Sequence, residues 1–151
     1  IVGINSRLDG LQAAILRVKL GHLPSYLSAR QQAAARYDDL LSGINAVQIP
    51  VREYRSSHVF HQYTLKVHPT HRDALRAHLS AAGVPTGVYY PVPGHAQKAF
   101  EEFEYDQEKF PVSDALAASV ISLPMHTELT EEQQRFIVDS IRNFVNKDKN
   151  K

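Results

Sequence analysis

The chain has 151 residues, 43% of them hydrophobic, with 17 Lys plus Arg against 16 Asp plus Glu and no cysteine. That length can bury a core and normally makes one domain, while the balanced charge leaves no global field to draw in nucleic acid or an anionic membrane. The missing thiols exclude disulfides and thiolate metal sites and accord with a reducing cytoplasm, and no apolar run approaches the roughly 18 residues of a membrane span.

Asp9 followed by Gln12 has the spacing of a capping box, so a helix is expected to begin at about Asp9, with Leu8, Leu11, Ile15 and Val18 on one buried face. Asn5 and Arg7 precede the cap, in a loop. Pro24 forces a break after Leu23 and can open a second helix, in which Tyr26, Ala33, Tyr37, Leu40 and Leu41 keep the helical period and Ser42-Gly43 ends it. Its polar face carries Arg30, Gln31, Arg36 and Asp38. Val47 to Pro50 reads as a short edge strand, and the alternation of Val59, His61, Tyr63, Leu65 and Val67 predicts a central strand over 58–67. Thr70 and Asp73 signal a third helix ending near Gly83. Val84 to Tyr90 reads as a strand closed by Pro91 and Pro93, placing His95 at its end. A helical turn over 96–100, a surface loop over 101–110, a helix over 113–120 and a short strand over 121–123 follow. Thr130 and Gln133 cap a last helix that uses Phe136, Ile137, Ile141 and Phe144, and residues 146–151 are expected to be disordered. The irregular alternation predicts an α+β fold, a small, mainly antiparallel sheet covered on one side by helices.

Few patterns carry chemistry by themselves. Eight histidines raise the question of a metal, but His58 and His61 at a spacing of three would face opposite sides of a strand, and no His-Glu-x-x-His motif occurs. There is no Gly-x-Ser-x-Gly elbow and no glycine-rich phosphate loop. An arginine fork and an asparagine amide just ahead of a helix do supply convergent donors for a phosphate, which makes Asn5 and Arg7 candidates for anion binding. The residues alone fit a turn residue and a solvated charge better.

Gly3-Ile4-Asn5-Ser6-Arg7-Leu8-Asp9-Gly10-Leu11-Gln12-Ala13-Ala14 closely resembles the segment that follows the cofactor lysine in sugar-nucleotide aminotransferases of the DegT type. Gly83 to His95, with Pro85-Thr86, Tyr90-Pro91, Pro93 and His95, resembles a second signature of that family. His61-Gln62-Tyr63, Phe110-Pro111-Val112-Ser113 and Leu123-Pro124-Met125-His126 match further landmarks in the same order. The sequence departs from many relatives at Gly94, where they have Leu, and this loosens the expected pose of His95.

The resemblance implies the C-terminal portion of a fold-type-I aminotransferase: residues 1–45 as a helical entry from a large cofactor domain, and 46–151 as the small α+β domain. It implies pyridoxal 5'-phosphate held on a lysine upstream of these residues, so that no catalytic residue lies in this chain and Lys19, Lys66, Lys98 and Lys109 are surface charges. Asn5 and Arg7 would bind the cofactor phosphate of a partner subunit in a homodimer with a shared site. Tyr90, His95 and Tyr89 would bind a nucleotide-linked keto sugar, with an amino acid, expected to be glutamate, as donor. Tyrosine hydroxyls and an imidazole suit a sugar and a diphosphate. His61 is a further candidate, and Tyr63 is expected to stabilise the sheet. The chain opens on Ile1 inside a motif, without a signal peptide, and is expected to be a piece of a longer cytoplasmic enzyme of polysaccharide or glycosylated-metabolite synthesis. The alternatives are a non-catalytic dimerisation or regulatory domain, and a sugar dehydratase of the same family.

Overall fold

A computed structural model describes residues 8–103 and 109–148. Helices α1 (Gly10–Leu20) and α2 (Leu23–Leu41) lead into strands β1 (Val47–Gln48) and β2 (Tyr63–Val67). Helix α3 (Pro69–Ala81), two short 3-10 turns (Gly94–Ala96 and Lys98–Phe103), helix α4 (Pro111–Ser119), strand β3 (Val120–Leu123) and helix α5 (Glu131–Asp148) complete the order. The sheet runs β1-β2-β3, antiparallel throughout, with Val47 opposite Val67 and Leu65 opposite Ile121. The α+β expectation and the central place of β2 are borne out.

Alternation along β2 sends Tyr63, Leu65 and Val67 into the core and Thr64 and Lys66 to the other face. The core side packs on Ala34, Tyr37 and Leu41 of α2, Leu75 and Leu79 of α3, and Ile137, Val138 and Ile141 of α5. Fully burying one such Leu or Ile contributes about 1.5–3 kcal/mol, so the three helices and the sheet hold each other. On the opposite face the hydroxyls of Thr64 and Ser122 lie 2.8 Å apart.

Two caps are as expected. Asp9 accepts from the Gln12 amide at 2.9 Å, and Thr130 and Gln133 cap α5 reciprocally at 3.2 and 3.0 Å. The Thr70–Asp73 signal is misplaced: α3 is capped at His68, two residues earlier, and the Thr70 hydroxyl pairs with His68 Nδ1 at 2.7 Å instead. Helix α5 runs to Asp148, so the helix continues through residues expected to be disordered.

Three expectations are corrected. The face of α1 is not buried in this chain: Leu8, Leu11, Ile15 and Val18 are 63, 73, 51 and 69% exposed. The central strand begins only at Tyr63, because Phe60 takes a φ of +47° and its amide donates to His58 Nδ1 at 2.9 Å, turning the chain before the sheet. Val84 to Tyr90 makes no strand; a single bridge, Gly87 to Ser122, joins it to β3.

The polar side chains of α2 are tethers and not a solvated face. Arg30 Nη1 donates to the carbonyls of Phe60 (3.0 Å), His61 (3.2 Å) and Met125 (3.3 Å). Arg36 Nε donates to Gln134 Oε1 at 2.7 Å, and fully buried Gln134 donates to Ala33 O at 2.8 Å. Asp38 accepts from Tyr63 and pairs with Arg52, whose guanidinium lies 4.6 Å from the centre of the Phe60 ring.

Candidate functional site

The segment that carries the second signature starts at a sharp helix exit. Gly83, at φ +77°, ends α3; its amide donates to Ser80 O, and the Val84 amide donates to Leu79 O at 2.9 Å. This is the two-bond left-handed cap that glycine favours, with Val84 and Leu79 both in the core behind it. The chain then crosses β3, where Gly87 exchanges two hydrogen bonds with Ser122, at 3.0 and 2.7 Å.

Tyr89 and Tyr90 follow on the surface, 49 and 72% exposed, with rings edge to face at 5.9 Å. Tyr89 stands between two clefts. One, of about 270 Å³, lies among His61, Gln62, Gly87 and Met125; the other, of about 390 Å³, lies among Tyr90, Pro93, Leu116 and Val120. Arg30 fixes the floor of the first by holding the His61 and Met125 carbonyls together.

His95 lies in the turn Gly94–Ala96, with its side chain only 7% exposed. Its ring stacks on Phe110 at 4.6 Å. Nε2 is 3.1 Å from Asp114 Oδ1, close enough for an ion pair, but the angle falls short of a hydrogen bond. The pair ties the signature loop to the first turn of α4. His61 is exposed on the rim of the first cleft, whereas Tyr63 is buried and donates to Asp38 at 2.6 Å, as expected of a residue that stabilises the sheet. Burial, then the hydrogen bond to Asp38 and its charge, hold the Tyr63 phenol well above its ordinary range; burial alone does the same for Tyr37.

Asn5 and Arg7 lie outside the described residues. Behind them α1 begins at an Asp9-capped end, where the first helical amides concentrate partial positive charge. Lys19, Lys66, Lys98 and Lys109 are all exposed, as expected of surface charges. Among the described residues no group of three or more His, Cys, Asp or Glu could hold a metal ion, and no helix is long and apolar enough to cross a membrane. Sequence reasoning missed Arg30, Gly87 and Asp114. Arg30 was visible only as part of the polar face of α2, and Gly87 only as a glycine two residues before a tyrosine pair.

Among the described residues, polar and aromatic groups are arrayed around two clefts and every lysine is exposed. Residues 1–142 match the model of the DegT/DnrJ/EryC1/StrS aminotransferase family, and the chain belongs to that family. It is 43% identical over 142 residues to a UDP-N-acetyl-3-dehydro-alpha-D-glucosamine 3-aminotransferase of Acidithiobacillus ferrooxidans, covering 94% of this chain and 37% of that protein. It is 42% identical over 146 residues to a pleiotropic regulatory protein of Geobacillus stearothermophilus, covering 95% and 39%. Among solved structures, S. venezuelae DesV in complex with a ketimine intermediate superposes with a TM-score of 0.87 at 36% identity, covering 94% of this chain and 38% of that one. The chain thus spans about two fifths of the length of these relatives.

Proposed function

We propose that this chain supplies the sugar-facing part of a pyridoxal-phosphate aminotransferase that moves an amino group from an amino acid, glutamate being the expected donor, to a nucleotide-linked keto sugar. The observation that carries this reading is the family match, which extends over residues 1–142 and takes in both signature segments. Residues 1–45 form the helical entry from the cofactor-bearing part and 46–151 the small domain. The enzyme works as a cytoplasmic homodimer in polysaccharide or glycosylated-metabolite synthesis.

Pyridoxal phosphate, when bound, supplies an electron sink for the carbon from which a proton is removed. The chain's own residues bind and orient. Asn5 and Arg7, an amide and a guanidinium fork ahead of a capped helix, form a donor set that fits the cofactor phosphate of the neighbouring copy. Tyr89 and Tyr90 offer hydroxyls to the sugar and diphosphate, and aromatic faces that exclude water from one side. His95 completes the set, its imidazole gripped by Phe110 and Asp114.

The test is an absorbance spectrum of the full-length protein with pyridoxal phosphate. An imine band that bleaches when glutamate is added supports the reading, and absence of any band removes it. A non-catalytic regulatory role is the second reading, favoured by the name of the Geobacillus stearothermophilus relative; it requires the absence of that band.

A further inference from the structure

A Cβ built on Gly87 would lie 2.5 Å from Tyr89 Cε2, 2.6 Å from Cζ and 2.7 Å from the hydroxyl oxygen. The ring therefore fills the space that any side chain at position 87 would need. The fold itself makes no such demand, since Gly87 does not adopt a left-handed φ and the atoms in the way are the distal end of a half-exposed side chain, free to swing outward. The two hydrogen bonds to Ser122 use only backbone atoms of Gly87 and would survive a methyl group. What glycine secures here is the resting place of the Tyr89 ring. That ring is the wall between the two clefts and the surface against which Tyr90 packs edge on.

We propose that Gly87 is a specificity-determining positioning residue: by lacking a Cβ it lets the Tyr89 ring lie against the backbone and form the wall that a nucleotide-linked hexose meets. This rests on the reading of the chain as the sugar-facing part of an aminotransferase. Alanine at position 87 pushes the ring off, merges the clefts and costs the hexose its aromatic face, while leaving the sheet intact.

The experiment uses the full-length holoenzyme and two non-reactive probes without a keto group, UDP-N-acetylglucosamine and dTDP-glucose, with binding followed by calorimetry. Wild type, Gly87→Ala, Tyr89→Ala and the double variant form a cycle. Each single substitution is expected to weaken the tighter probe about tenfold, a loss of the size that an aromatic contact supplies. The double variant should bind no more weakly than Tyr89→Ala, with all four melting temperatures within about 1 °C of one another. Wild-type affinity in Gly87→Ala, losses that multiply in the double variant, or a drop of several degrees in Gly87→Ala would overturn the proposal. Binding of neither probe by wild type also overturns it, yet leaves the aminotransferase reading standing if the imine band forms and bleaches with glutamate.

Discussion

The hydroxyl of Tyr63 donates to Oδ1 of Asp38 at 2.6 Å, tying the middle strand of the sheet to the second helix. Tyr63→Phe removes this bond without opening a cavity and should lower stability by about 1 kcal/mol, read as a lower midpoint in urea at unchanged slope.

The same phenol governs alkaline behaviour. Tyr63 and Tyr37 both have proton affinities raised by burial, so the native state holds these protons more tightly than the unfolded chain does. Their contribution is complete below about pH 10, the ordinary phenol value, and is lost as pH rises from there towards the higher native values. Urea midpoints should be flat through pH 9 and fall beyond pH 10, and Tyr63→Phe should make that fall shallower. An equally steep fall in the variant would show that other groups control it.

Gln134 is fully buried and bridges Arg36 to the Ala33 carbonyl. Gln134→Ala leaves a cavity and removes the partners of a guanidinium N–H and of a buried carbonyl. The expected loss is about 2–4 kcal/mol, to be measured by thermal and chemical unfolding.

Arg30 joins three carbonyls from two loops that flank the paired ends of β2 and β3. Arg30→Ala removes Nη1, the one nitrogen that donates to all three. Amide hydrogen exchange should accelerate across 58–62 and 124–126, with α5 unchanged; uniform protection would show that the clamp is dispensable.

Arg7→Ala in the full-length protein should weaken retention of pyridoxal phosphate, seen as faster loss of the imine band on gel filtration. Unchanged retention would make Arg7 an ordinary surface charge.

What was legible in the sequence was mostly local. The Asp9–Gln12 and Thr130–Gln133 caps involve partners three residues apart, so spacing alone reveals them. The apolar stripe of α1 was also visible, but periodicity says that a face is apolar, not that this chain covers it. The turn at Phe60 was hidden because alternation from Val59 continues in register through a residue whose left-handed φ breaks the strand. The α2 tethers reach partners up to 98 residues away, and nothing in a linear pattern of polar residues distinguishes such a clamp from a wet surface. At the candidate site the tyrosine pair and His95 were visible through motif resemblance, whereas Gly87 and Asp114 act through shape and proximity.

The order of the sheet has a bearing on biosynthesis. The middle strand finds one neighbour nearby in the chain, but the other only some sixty positions later, with Tyr63 aligned on Leu123. As the polypeptide leaves the ribosome, the first two helices and the paired strands β1 and β2 must wait without their third strand and without α5. Closing so long an excursion makes folding slow and cooperative, so until synthesis has passed the final helix, nascent chains should be the species that chaperones hold and proteases cut.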